Sequence, residues 1–194
     1  VDLLGVTEGR GLVLFTAYSL LDHSYQAIKP ELEAQGIPVI AQGRDGTREA
    51  ITNMFRKVRS SVLLGTQSFW EGVDVVGESL SCLVVTKLPF QVFTEPLIKA
   101  RCEYLAAQGK DPFRHYSLPN AVIRLRQGFG RLIRTRTDRG VVVITDRRLV
   151  EKGYGRYFLG SLPVNHQVFK RPEDLLAEVG RFLRAAEDVR QQAK

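Results

Sequence analysis

Five short apolar runs, none of them alternating with polar residues, constrain this chain more than any other feature. They cover residues 11–17, 37–41, 61–65, 80–88 and 140–145. A strand with one wet face alternates apolar and polar side chains, whereas a run apolar throughout is covered on both faces. Helical patterns fill the gaps. Leu21, Tyr25, Ile28 and Leu32 form one stripe, capped by Ser19 and stopped by Gly36, and Ile51, Phe55 and Val58 form another, capped by Thr47. A helical segment follows over about 94–118, irregular after 108, and a last helix spans about 172–189 with Leu175, Leu176, Val179, Phe182, Leu183 and Ala186 on one side. Segment 66–77 reads as turn-rich. Strands alternating with amphipathic helices predict an α/β fold, a parallel sheet with helices on both faces. The 194 residues suit one domain, 1–194. In such sheets the functional loops gather at the carboxyl ends of the strands.

The formal net charge is +7, and arginine is concentrated at Arg124, Arg126, Arg131, Arg134, Arg136, Arg139, Arg147 and Arg148, against Asp138 and Asp146 alone. That distribution fits a polyanion or phosphate partner, with a solvated basic face as the alternative. Cys82 and Cys102 are too few for a disulfide framework or a zinc site, and both sit in apolar patterns that read as core. His23, His115 and His166 lack metal-ligand spacing, so no metal site is expected. No apolar run approaches the ~18 residues that span a bilayer. The start Val1-Asp2-Leu3-Leu4 has no signal-peptide pattern, and the lack of an initiator Met fits a piece of a longer protein. A cytoplasmic location follows as the expectation.

On a helix over 119–134, Val122, Leu125, Phe129, Leu132 and Ile133 form an apolar stripe. Gln127, Arg131 and Arg134, spaced i, i+4, i+7, project together from the opposite side, with Arg124 beside them. Gly128 and Gly130 flank that ridge. Each costs a helix ~1 kcal/mol relative to alanine, and close approach of a backbone or a phosphate would supply a reason for them. Guanidinium groups are always charged and match phosphate oxygens. Facing a nucleotide held by another domain, they would neutralise charge as the γ-phosphoryl group leaves.

The stretch Gln127-Gly128-Phe129-Gly130-Arg131-Leu132-Ile133-Arg134 resembles motif VI of superfamily 2 helicases. Gly65-Thr66-Gln67-Ser68-Phe69-Trp70-Glu71-Gly72-Val73-Asp74 resembles motif V in the form of the DinG/XPD-like branch, and Val13-Leu14-Phe15-Thr16-Ala17-Tyr18 looks like motif IV. Lys87-Leu88-Pro89-Phe90, and Tyr154-Gly155-Arg156 through Ser161-Leu162-Pro163, also look like bacterial DinG proteins. The matches fall in family order from about residue 11 to 163.

The resemblance implies a RecA-like domain, the second of two motor domains in an ATP-dependent DNA helicase moving 5′ to 3′ in repair or replication. Arg131 and Arg134 would face ATP, and Gln127 would contact its phosphates or position the attacking water. Glu71, Gly72 and Asp74 would lie at the domain cleft, the acids bonding the ribose or orienting the arginines, with turn formation as the alternative. Thr66, Tyr18 and Ser19 fall where relatives touch the nucleic-acid backbone. Trp70 and Phe90 would stack on bases of single-stranded DNA, with core packing as the alternative. The sequence holds no phosphate loop, so ATP and Mg²⁺ would be held mainly by the first motor domain. Any 4Fe–4S cluster would also lie upstream, since this chain lacks the four cysteines for one. A bacterial, nucleoid-associated cytoplasmic protein is the expectation. Two rivals are a nucleic-acid-binding module indifferent to ATP and a nuclease-associated ATPase without unwinding activity.

Overall fold

A computed structural model describes residues 1–72, 80–132 and 139–192; of Gln67, Glu71, Gly72, Arg131 and 187–192 it describes the backbone alone. The apolar runs form strands β1 (Gly11–Leu14), β2 (Val39–Ala41), β3 (Val62–Gly65), β4 (Cys82–Val85) and β5 (Val141–Ile144). They make one parallel sheet in the order β2-β3-β1-β4-β5. The helices are α1 (Asp2–Val6), α2 (Tyr18–Ala34), α3 (Arg48–Lys57), α4 (Gln67–Gly72), α5 (Pro96–Ala107), α6 (Leu118–Leu132), α7 (Arg148–Glu151), α8 (Gly155–Leu159) and α9 (Pro172–Gln192).

The strands are apolar throughout because successive side chains enter two different cores. Leu12, Leu14, Leu63, Leu83 and Val85 pack with Ile51 and Phe55 of α3, Phe69 and Trp70 of α4, and Leu125 and Leu132 of α6. Their neighbours Val13, Val62, Leu64, Cys82 and Val84 pack with Leu4 of α1 and Leu21 and Leu32 of α2. This is the expected parallel sheet with helices on both faces. Cys82 is fully buried, and burial pushes its thiol up to about 12, so it stays protonated and inert.

Local signals explain some helix ends. Thr47 caps α3 by accepting from the Ala50 amide at 3.3 Å. Gly36, at φ +73°, supplies the left-handed turn after α2. Ala17, and not Ser19, occupies the N-cap of α2, with no side-chain cap bond. Val58 is the C-cap of α3 and 41% exposed instead of facing inward. Phe182 also lies outside, at 40% exposed, while Val179 and Leu183 are buried on α9, which packs against α1.

Two larger departures follow from tertiary contacts. The first part of the turn-rich segment is helix α4, a single turn and a half whose burial of Phe69 and Trp70 outweighs its weak local signal. The irregular stretch before α6 contains a π-helical turn, Phe113–Ser117, that runs directly into it. Asp111 Oδ1 accepts from the Phe113 amide at 2.9 Å and starts that turn. Phe113 then joins an aromatic cluster, with ring centroids 5.8 Å from Phe90 and 5.3 Å from Tyr154.

Asp146 fastens this cluster to the sheet. Its carboxylate accepts from the Leu88 amide at 2.8 Å, the Arg148 amide at 3.0 Å and the Arg148 guanidinium at 2.6 Å. Arg148 in turn lies over the Phe90 ring, 5.4 Å from its centroid. Burial alone would raise the Asp146 carboxyl, but the Arg148 guanidinium and the two amides together hold it below the ordinary carboxylate range.

A depressed folded-state value contributes stability that is present above the unfolded value, ~3.9, and is lost as pH falls through the folded one. Asp146→Asn should therefore cost ~1–3 kcal/mol at neutral pH, and the gap from the parent should narrow only below about pH 4. Urea denaturation across pH 3–7 measures this; a gap independent of pH would rule the carboxylate out as its source.

Gly128 and Gly130 separate just as cleanly. A Cβ at Gly128 would meet Trp70 Cε3 at 3.0 Å and Leu14 Cδ1 at 3.3 Å, whereas one at Gly130 would meet nothing within 4 Å among the described residues. Gly128→Ala should destabilise the domain by ~1–3 kcal/mol, and Gly130→Ala should stabilise it by up to ~1 kcal/mol. Equal effects of the two in chemical denaturation would contradict the packing described.

Candidate nucleic-acid and nucleotide interface

The registers place the carboxyl ends of the central strands at one level: Leu14 pairs with Gly65 and Val85, and Val85 with Ile144. One residue further on come Phe15, Thr66, Thr86 and Thr145, held in step by Phe15 N to Gly65 O (2.9 Å), Thr86 N to Leu14 O (3.1 Å) and Thr145 N to Val85 O (3.0 Å). The hydroxyls at this level are engaged within the protein. Thr86 Oγ1 donates to Leu14 O at 2.9 Å and Thr145 Oγ1 to Thr86 O at 3.0 Å.

Thr66 is 5% exposed, and both of its donors point to one atom. Its amide and its Oγ1 donate to Gln42 Oε1 at 2.8 and 3.0 Å. Gln42 follows β2, its amide donating to Leu64 O at 3.0 Å, and its Nε2 donates to Ser68 Oγ of α4 at 3.0 Å. Gln42 also lines a cleft with Tyr18, Ser19, Asp22, Gly43 and Arg44. Tyr18 is 52% exposed there and Ser19 is exposed beside it. The Arg44 guanidinium is held at the rim by Asp22, with Nε at 2.6 Å. The structure thus brings Tyr18 and Ser19 to one cleft and sets Thr66 behind Gln42.

Trp70 is 2% exposed, its indole Nε1 donating to Phe15 O at 3.3 Å and its ring against Gly128. This corrects the stacking expectation, because a ring buried on both faces offers no platform to a base. The same contact is the reason for Gly128, which admits an indole rather than a phosphate. Phe90 is half-buried, with Phe113, Tyr154 and Phe158 around it and Arg148 above. The rest of its surface lines a shallow depression shared with Thr16, Pro89, Gln91 and Arg124.

Helix α6 runs from this edge towards the other end of the sheet. Arg124 borders the depression near Phe90, and Leu132 reaches Gly140, which also adjoins the Ser81 carbonyl ahead of β4. Of the expected apolar stripe Leu125, Phe129 and Leu132 are buried and Val122 is half-buried, with Leu118 and Ala121 buried beside them. Gln127 and Gly130 are exposed on the other side. Arg131 lies in the last turn of α6, its side chain outside the described residues, as are Asp74, Ile133 and Arg134 altogether. Glu71 and Gly72 end α4, which packs against α6. Among the described residues no group of three or more His, Cys, Asp or Glu side chains could hold a metal ion, and no helix is long and apolar enough to cross a membrane.

Sequence reasoning passed over Gln42. Its signal was weak, a polar residue directly after a buried strand and before a glycine. Asp146, directly after the last apolar run, carried the same signal.

Comparison with known proteins agrees with this architecture. The model of the helicase C-terminal domain family matches residues 1–165. The helicase YoaA of Haemophilus influenzae, named an ATP-dependent DNA helicase, is 45% identical over 163 residues, 84% of this chain and 25% of that protein. The DinG protein of Bacillus subtilis, named a 3'-5' exonuclease, is 43% identical over 153 residues, 78% of this chain and 16% of its own length. The chain therefore spans a quarter or less of these relatives. Among solved structures, "XPD_APO" superimposes with a TM-score of 0.61 at 16% identity, over 86% of this chain and 35% of that one. Xpd4 of S. tokodaii gives 0.53 at 20% identity, over 80% and 29%. At such identities the likeness is one of fold, the RecA-like α/β domain. With the family model covering most of its length, the chain belongs to the helicase C-terminal domain family, in its DinG/XPD-like branch.

Proposed function

We propose that this domain is the second motor domain of an ATP-dependent DNA helicase, providing Arg131 and Arg134 to ATP held with Mg²⁺ by the first motor domain of the same protein. The observation that carries the reading is the seating of Trp70 on Gly128, which packs α4 onto α6. Residues at the end of α4 (Glu71, Gly72) and on the outer ridge of α6 (Gln127, Arg131) then move as one body. Gly130 is exposed on that ridge with nothing within 4 Å of its Cβ position among the described residues, which suits close approach by another domain's backbone or a phosphate.

ATP supplies the free energy and the γ-phosphoryl group that leaves. Arg131 and Arg134 neutralise charge on that group and close the cleft between domains. Gln127 orients the attacking water or a phosphate oxygen, and Glu71 and Asp74 bond the ribose or hold the arginines in place. The cleft at Tyr18 and Ser19 grips the backbone of single-stranded DNA without reading sequence. Alternating grip by the two domains moves the protein along one strand, 5′ to 3′ by likeness to the branch, in repair or replication. Relatives named ATP-dependent DNA helicases support this role. The exonuclease name of the Bacillus subtilis relative favours a second reading, a motor attached to a nuclease that does not unwind. A strand-displacement assay on the full-length protein separates the two.

In the full-length protein, Arg131→Ala should lower ATP turnover by ~10³-fold or more while single-strand affinity stays within about threefold. Hydrolysis retained in that variant would remove Arg131 from the reaction. The isolated domain should show no ATP turnover above background, and a multiple-turnover activity abolished by Arg131→Ala would contradict the half-site reading. Single-strand binding should weaken steeply with salt, since phosphate contacts release counterions; a flat response would exclude them.

A further inference from the structure

Thr66 has two donors, its amide N–H and its hydroxyl proton, and both are engaged by Gln42 Oε1. A phosphodiester accepts hydrogen bonds and donates none. Thr66, 5% exposed and behind Gln42, therefore has no donor to offer a phosphate in this conformation. Gln42 is differently placed. Its oxygen is fixed by Thr66, which decides which end of the amide is nitrogen, and one Nε2 proton goes to Ser68 Oγ. The second Nε2 proton has no acceptor among the described residues, and the side chain lines the cleft where Tyr18, Ser19 and Arg44 are exposed.

We propose that the Gln42 side-chain amide is the group that binds a phosphate of the single strand in this cleft, and that Thr66 and Ser68 are its positioning residues. The inference rests on the reading that this edge grips DNA. Three hydrogen bonds with two residues, Thr66 and Ser68, hold the amide in a single orientation, so its remaining N–H is preorganised toward an acceptor-only ligand. The Ser19 hydroxyl and the Arg44 guanidinium, whose Asp22 partner leaves further N–H donors over, complete a neutral-plus-cationic donor set suited to a phosphodiester. A short polar residue at position 42 could not span from β2 to Thr66 and Ser68 at once.

The test is fluorescence anisotropy of a fluorescein-labelled oligothymidylate binding to the full-length protein, with thermal unfolding of each variant alongside. Gln42→Ala should weaken binding about tenfold and leave the slope of affinity against salt unchanged, because a neutral donor releases no counterion. Thr66→Val should weaken binding less, about threefold, and add nothing in the Gln42→Ala background. Gln42→Glu keeps the acceptor oxygen for Thr66 but sets a carboxylate against the phosphate. It should lose at least as much affinity as Gln42→Ala while unfolding close to the parent temperature.

Unchanged or tighter binding by Gln42→Ala, with Thr66→Val still weakening it, would make Thr66 the direct contact. That would overturn the inference but not the reading beneath it. Wild-type affinity in Gln42→Glu would overturn the inference as well. Wild-type affinity in Gln42→Ala, Thr66→Val and Ser19→Ala alike would take the cleft off the strand's path and overturn both.

Discussion

The buried indole of Trp70 is the contact on which the rest of this domain's geometry depends. It joins three elements at once: it donates to the Phe15 carbonyl at the end of β1, belongs to α4, and lies on the bare backbone of α6 at Gly128. A side chain of this size contributes through the apolar area it removes from water, on the order of 25 cal/mol per Å². Its directional part is the indole bond, which satisfies a carbonyl where the ladder runs out. Because α4 and α6 carry the segments expected to meet nucleotide, one packing contact sets their relation before any ligand arrives.

The carboxyl edge of the sheet follows a related logic. At the strand ends side chains bond backbone carbonyls: Thr86 Oγ1 gives Leu14 O a second bond beside the Thr86 amide, Thr145 donates to Thr86 O and Trp70 to Phe15 O. The result is a rigid edge whose hydroxyl protons are already engaged. Hydroxyl-rich loops at strand ends invite assignment as phosphate binders, but a hydroxyl has one proton to give. At Thr66 that proton goes to Gln42, and the side chain left facing the cleft is the amide.

The fold was legible because its signal is distributed. Continuous apolar runs require covering on both faces, and the division of β1 into Leu12 and Leu14 on one side and Val13 on the other shows why alternation was absent. Thr47 and Gly36 marked helix ends through chemistry confined to a few residues. What escaped depends on partners remote in sequence. Helix α4 is too short for a 3.6-residue pattern and exists because Phe69 and Trp70 are buried. The reason for Gly128 is an indole 58 residues earlier, and Gly130 has no such neighbour among the described residues. Motif strings named candidate residues, but they could not say which aromatic ring is covered or which hydroxyl is already bonded. The assignment of Asp146 to a fastening role likewise needed Leu88 and Arg148 in three dimensions.

The central claim is that Arg131 and Arg134 form half of an active site completed by another domain. The most direct measurement is a structure of the full-length protein with a non-hydrolysable ATP analogue, Mg²⁺ and a single strand. The account predicts both guanidinium groups within hydrogen-bonding reach of γ-phosphate oxygens, ~2.7–3.2 Å, with Trp70 still seated on Gly128. Guanidinium groups turned to solvent while the analogue is bound and the domains are closed would contradict it.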